Sequence, residues 1–133
     1  MTDMREFESD IASSGAAGRG DVLLAISNAI VRLYKECFGR GPTKAKTYHH
    51  GDVITCVLRG GLTKAEHTLI ASGHEASVHN QRHMLQQAVR ERFVASVEEL
   101  TGRRVVGFMS GTQLDPDMSC EVFVLAPEES EGR

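Results

Sequence analysis

Between Asp21 and Cys37 the apolar residues Leu23, Ile26, Ile30, Leu33 and Cys37 recur three and four apart, which puts them on one side of a helix. Asp21 stands where a carboxylate meets the positive helix pole, so it reads as the cap or a first-turn acid. Gly39, Gly41 and Pro42 stop the helix. The pattern then shortens. Ala45–His50 and Val53–Leu58 flank Gly51-Asp52, a two-residue turn with glycine first, and the second segment is rich in β-branched residues. They predict a β-hairpin, closed by Gly60-Gly61. Thr63-Lys64-Ala65-Glu66 is a capping box, and its short helix runs to about Ser72, with Gly73 as the stop. A longer helix is predicted over Ala76–Leu100, with Val78, Leu85, Val89, Phe93, Val97 and Leu100 on one face and Gly102 at its end. Arg103–Ser110 and Met118–Leu125 predict a second hairpin, whose connection holds Gly111 and Asp115-Pro116-Asp117.

The order α-β-β-α-α-β-β predicts an α+β fold of two layers. A four-stranded, mainly antiparallel sheet carries the helices on one face, where their apolar stripes are buried. Residues 1–20 read as a flexible N-terminal segment, with a short helix over Met4–Ala12 and a linker over Ser13–Gly20. Residues 21–126 form a single domain, and residues 127–133 a charged tail. An open sheet face or edge invites pairing, so a homo-oligomer is expected.

Length changes this picture little, since 133 residues suit one domain. Aromatic residues are 5% of the chain and tryptophan is absent, so the core is expected to be mostly Val, Leu, Ile and Ala. The formal net charge of −3 argues against nucleic acid and anionic membranes, which attract basic surfaces. An RNA-binding reading also lacks an aromatic platform. Cys37, Cys56 and Cys120 are far apart in apolar stretches, without zinc spacing, and read as reduced thiols. No apolar run is long enough to span a membrane, and Met1–Arg5 is followed by acidic residues instead of a signal core. A cytoplasmic location is expected.

Three clusters carry candidate chemistry. Arg40, Lys44 and Lys46 form the densest basic group and are read as an anion- or partner-binding site, against the plainer role of complementing a negative helix end. The Gly39–Lys46 loop is no phosphate loop, because it follows a helix and leads into a strand. His79 and His83 share a helical face, but they lack further ligands and the glutamate of HExxH, so solvated histidines and no metal are expected. Asp115, Asp117 and Glu121 are read as the rim of a pocket, against ordinary turn chemistry around Pro116. No nucleophile elbow and no dinucleotide fingerprint is present. No catalytic residue is assigned and no cofactor is expected.

Several segments together resemble the bacterial MpsC-type domain. They are Ala25–Glu36, Gly39–Ala45, Cys56–Glu66, Val97–Arg103 and Asp115–Asp117, within a match covering about residues 20–126. The resemblance implies an accessory component of a bacterial system that generates membrane potential by cation translocation, akin to inorganic-carbon uptake machinery. It carries over no catalytic residue. His49-His50-Gly51 and the histidine-rich Gly73–His83 stretch do not match the shared pattern.

The resulting expectation is a non-catalytic accessory or regulatory binding domain. It would meet a protein partner at the cytoplasmic side of a membrane ion or inorganic-carbon transport complex, without itself spanning the membrane. The alternative is a small-molecule-binding protein or enzyme with an interfacial pocket for an anion or nucleotide-like ligand. Its element order resembles that of the tunnelling-fold pterin and purine enzymes, an analogy of fold alone.

Overall fold

The computed structural model describes residues 17–128. Its elements are α1 (Ala17–Phe38), β1 (Lys44–His50), β2 (Val53–Arg59), α2 (Lys64–Ala71), α3 (Glu75–Ala88), α4 (Arg90–Thr101), β3 (Val105–Gln113) and β4 (Met118–Leu125). The α-β-β-α-α-β-β order and the α+β class are as the sequence predicts. The four strands form one antiparallel sheet in the order β1-β2-β4-β3. Two hairpins are thus zipped together along β2 and β4.

Each hairpin follows from its turn. At the Gly51-Asp52 turn Gly51 takes φ 60°, and β1 pairs with β2 from His50↔Val53 to Lys44↔Arg59. Leu114–Asp117 make the turn between β3 and β4, and Gly111 lies inside β3 instead of in the connection. β3 also begins later and runs further than Arg103–Ser110.

One sheet face is covered by helices. It carries Ala45 and Thr47 of β1, Ile54, Cys56 and Leu58 of β2, Ser119, Glu121, Phe123 and Leu125 of β4, and Phe108 of β3. From α1, Leu23, Ile26, Ile30 and Leu33 pack onto it as the stripe predicts, joined by Tyr34 and Phe38. Phe93 and Val97 of α4 fill the same core. The core is more aromatic than the composition implies. Tyr34 stacks on Phe38 with ring centroids 4.5 Å apart, and contacts continue from Tyr34 to Phe93, Phe108 and Phe123. The few aromatic side chains are concentrated where they remove most surface from water.

Two expectations change. α1 starts at Ala17, so residues 17–20 are helical and Asp21 lies past the first turn, where it cannot cap. The Met4–Ala12 reading lies outside the described residues, as do residues 129–133 of the tail. The long helix is two helices, broken at Val89 with φ −103° and ψ 8°. The capping box is present in full: Thr63 Oγ1 accepts from the Glu66 N–H at 3.1 Å, and Glu66 Oε1 accepts from the Thr63 N–H at 2.8 Å.

Candidate functional site

β1 ends the sheet on one side, and its alternation sends Lys44, Lys46, Tyr48 and His50 to the face opposite the helices. Across the hairpin this face continues with Arg59, Val57, Thr55 and Val53. β4 adds Met118, Cys120, Val122 and Val124, and β3 adds Met109. The centre of the face is therefore apolar and one end is basic. Lys44 is exposed and directly opposite Arg59, whose guanidinium donates to Met118 Sδ at 3.6 Å. Lys46 lies one pleat further along the same face and is buried. Arg40 is exposed in the connection between α1 and β1. The structure thus brings Lys44 and Lys46 together on one strand face and adds Arg59, which the sequence reading passed over. Counting back from the Gly51-Asp52 turn would have found it, because a two-residue hairpin loop sets the whole register.

The acidic trio does not stay together. Asp115 is exposed in the β3–β4 turn. Asp117 holds the neighbouring loop: its Oδ2 accepts from the Leu62 N–H at 3.1 Å, and its carbonyl accepts from the Gly60 N–H at 3.0 Å. Glu121 is fully buried under the helices, away from any rim. There Tyr34 Oη donates to Glu121 Oε2 and Ser110 Oγ donates to Glu121 Oε1. Gln86 Nε2 donates to Tyr34 Oη at 3.2 Å and to Thr112 Oγ1 at 3.1 Å. Burial raises the Glu121 carboxyl to about 7, against the pull of these donors. Burial and the neighbouring carboxylate also push the Tyr34 hydroxyl well above its usual range. With no basic side chain in ion-pair contact among the described residues, this cluster keeps a proton in the core at acidic pH.

A second buried network was also missed. Arg82 of α3 is 2% exposed. It donates to Glu66 Oε2 at 2.8 Å, to Glu66 Oε1 at 2.6 Å and to the Gly61 carbonyl at 2.8 Å, and its guanidinium lies over the Phe38 ring at 4.9 Å. Burial works to raise the Glu66 carboxyl, but Arg82 and the Thr63 N–H hold it below the usual range. The sequence signal was an arginine at a stripe position, four residues from Val78 and from Gln86.

His79 and His83 are exposed on α3, and no group of three or more metal-ligating side chains occurs among the described residues. Cys56 is buried, and burial pushes its thiol up to about 12, which removes nucleophilic character. Cys37 and Cys120 are half-buried free thiols. No described helix is long and apolar enough to cross a membrane.

An uncharacterized Bacillus subtilis (strain 168) protein, YrhF, is 27% identical over 100 residues, which cover 73% of this chain and 82% of the relative. No solved structure matches. Residues 19–127 match the model of a family described as "Na+-translocating membrane potential-generating system (MpsC)", and that span takes in every strand and helix from Arg19 onward. The chain belongs to the MpsC family.

Proposed function

We propose that this chain is a non-catalytic accessory domain that binds an acidic protein partner at the cytoplasmic side of a membrane ion- or inorganic-carbon-transport complex. The carrying observation is the basic end of the sheet, where Lys44 stands opposite Arg59 beside Lys46, with Arg40 exposed in the connection before β1. Like charges paired across two strands oppose folding, so an anionic surface that neutralises them gains affinity. The family description supports the membrane-system setting. Arg40, Lys44 and Lys46 are the contact residues in this reading, with Arg59 added by the register.

Affinity capture tests it. Tagged chain is used to bind partners from native cells with membranes retained, in parallel with the Arg40→Ala/Lys44→Ala variant. The variant loses the membrane-associated partner at low salt and differs less from the parent at high salt, where screening already weakens charge contacts. Equal recovery at low salt overturns the reading.

A further inference from the structure

The sheet has two edges, and they are built differently. β1 carries Lys44, Lys46, His49 and His50, and charge on an edge strand discourages another strand from adding to it. β3, at the other edge, has no charged residue and no proline from Val105 to Gln113. It carries two large apolar side chains that face water, Val106 at 56% and Met109 at 57% exposure. The start of β3 is guarded. The chain bulges between Val105 and Gly107, and α4 sends side chains to the backbone there. Glu98 Oε2 accepts from the Val105 N–H at 2.9 Å, and Arg90 donates to the Phe108 carbonyl at 3.2 Å. In an antiparallel strand the N–H and C=O of one residue point to the same side, and the side alternates along the chain. The Phe108 carbonyl is taken by α4 and not by β4, so the polar backbone groups of Ser110 and Thr112 also point outward. β3 is the last strand, so no strand among the described residues meets them. The regular part of this edge runs from Gly107 to Gln113 and is centred on Ser110.

We propose that the β3 edge pairs with the β3 edge of a second copy of this chain, antiparallel about Ser110, so that the two sheets join into one. Ser110 then pairs with Ser110, and Phe108 with Thr112 of the second copy, through the outward backbone groups. The Phe108 carbonyl has a second lone pair for this bond besides the one that Arg90 uses. Met109 stands beside Gly111 of the second copy, where no side chain competes for the space. Val106 comes toward Leu114 of the second copy, apolar against apolar. The charges that flank the strand are opposite and exposed, Arg104 before it and Asp115 after it. Antiparallel pairing brings each near its opposite on the other chain. A second copy meets all of these features at once, because a two-fold axis makes every contact twice.

Light scattering tests the pairing. The full chain has the mass of two chains at micromolar concentration. Met109→Glu/Gly111→Glu sets like charges opposite each other across the axis and lowers the mass to one chain. Met109→Lys/Gly111→Lys does the same. Mixing the two charge variants at low salt restores the mass of two chains. Neither variant removes a core contact, since Met109 is exposed and a Cβ on Gly111 meets only Cys120 Sγ at 3.5 Å, an ordinary distance. Circular dichroism shows that each keeps its fold. Disulfide trapping reads the register in a Cys37→Ser/Cys120→Ser background. A Met109→Cys chain mixed with a Gly111→Cys chain gives a covalent dimer on mild oxidation, and neither chain does so alone. The cysteine chains add no charge, so they decide the matter where a charge variant loses its fold. A full chain with the mass of one chain overturns the proposal. So does a dimer that survives either charge variant, a mixture that stays as single chains, or a disulfide that forms as well within one cysteine variant. The assay contains no membrane component, so its outcome is separate from that of the capture experiment.

Discussion

Lys44 on the edge strand stands directly opposite Arg59 across the β1–β2 hairpin, so two cations share one sheet face. A cross-strand pair of like charge is worth less than almost any other choice at that position. The fold does not need it: the hairpin register is set by the Gly51-Asp52 turn and by Ile54, Cys56 and Leu58 facing the core. Positive charge at this end of the face is what the proposed binding to an acidic partner uses.

Glu121 makes stability depend on pH in a defined direction. Burial raises its carboxyl from the ordinary 4.5 to about 7 in the folded chain, so the native state holds the extra proton between these values. Unfolding free energy from this group is therefore undiminished below about pH 4.5, falls as pH rises toward 7, and is level above, a loss of roughly 3 kcal/mol. Glu121→Gln removes this titration. Urea unfolding from about pH 4 to about pH 8 shows the variant gaining on the parent as pH rises. Parallel curves contradict the assignment.

Arg82 and Glu66 are both buried, so removing one strands the other. Arg82→Leu costs about 3–5 kcal/mol in chemical denaturation. Arg82→Leu combined with Glu66→Gln costs less, because the neutral amide still reaches the Thr63 N–H and no charge is left in the core. A double variant as unstable as the single one shows that the charge itself is not what matters there.

Gly60 and Gly39 both adopt positive φ, at 79° and 88°, but their surroundings differ. A Cβ on Gly39 meets nothing within 4 Å, while one on Gly60 comes within 2.7 Å of Thr43 Oγ1. Gly39→Ala then costs about 1 kcal/mol, the conformational penalty alone. Gly60→Ala costs about 2–4 kcal/mol, since overpacking adds to it. Adding Thr43→Ala to Gly60→Ala recovers part of the difference in thermal melts.

Most of the fold was legible because each boundary had a local cause. The Gly51-Asp52 turn, the Thr63–Glu66 capping box and the alternation from Met118 to Leu125 each specify their element with nearby residues. The break at Val89 was hidden, since Leu85, Val89, Phe93 and Val97 keep one four-residue spacing through it and no Gly or Pro marks it. The start of α1 was missed because glycines at 18 and 20 read as a linker, although the helix runs through them. The basic end was partly visible in Lys44 and Lys46, but Arg59 needed the strand register. Glu121 read as the rim of a pocket, and Arg82 drew no reading. Their partners Tyr34 and Glu66 are 87 and 16 residues away, and only the tertiary fold brings them together.

Lys44→Glu tests the central claim most directly, because it separates folding from binding at one position. The account predicts that the variant is at least as stable as the parent in urea, gaining about 0.2–1 kcal/mol from an opposite-charge pair with Arg59. In the same preparation it fails to capture the membrane-associated partner at low salt. A variant that is less stable, yet still captures the partner, would show that Lys44 serves the hairpin and that the basic end is not the binding surface.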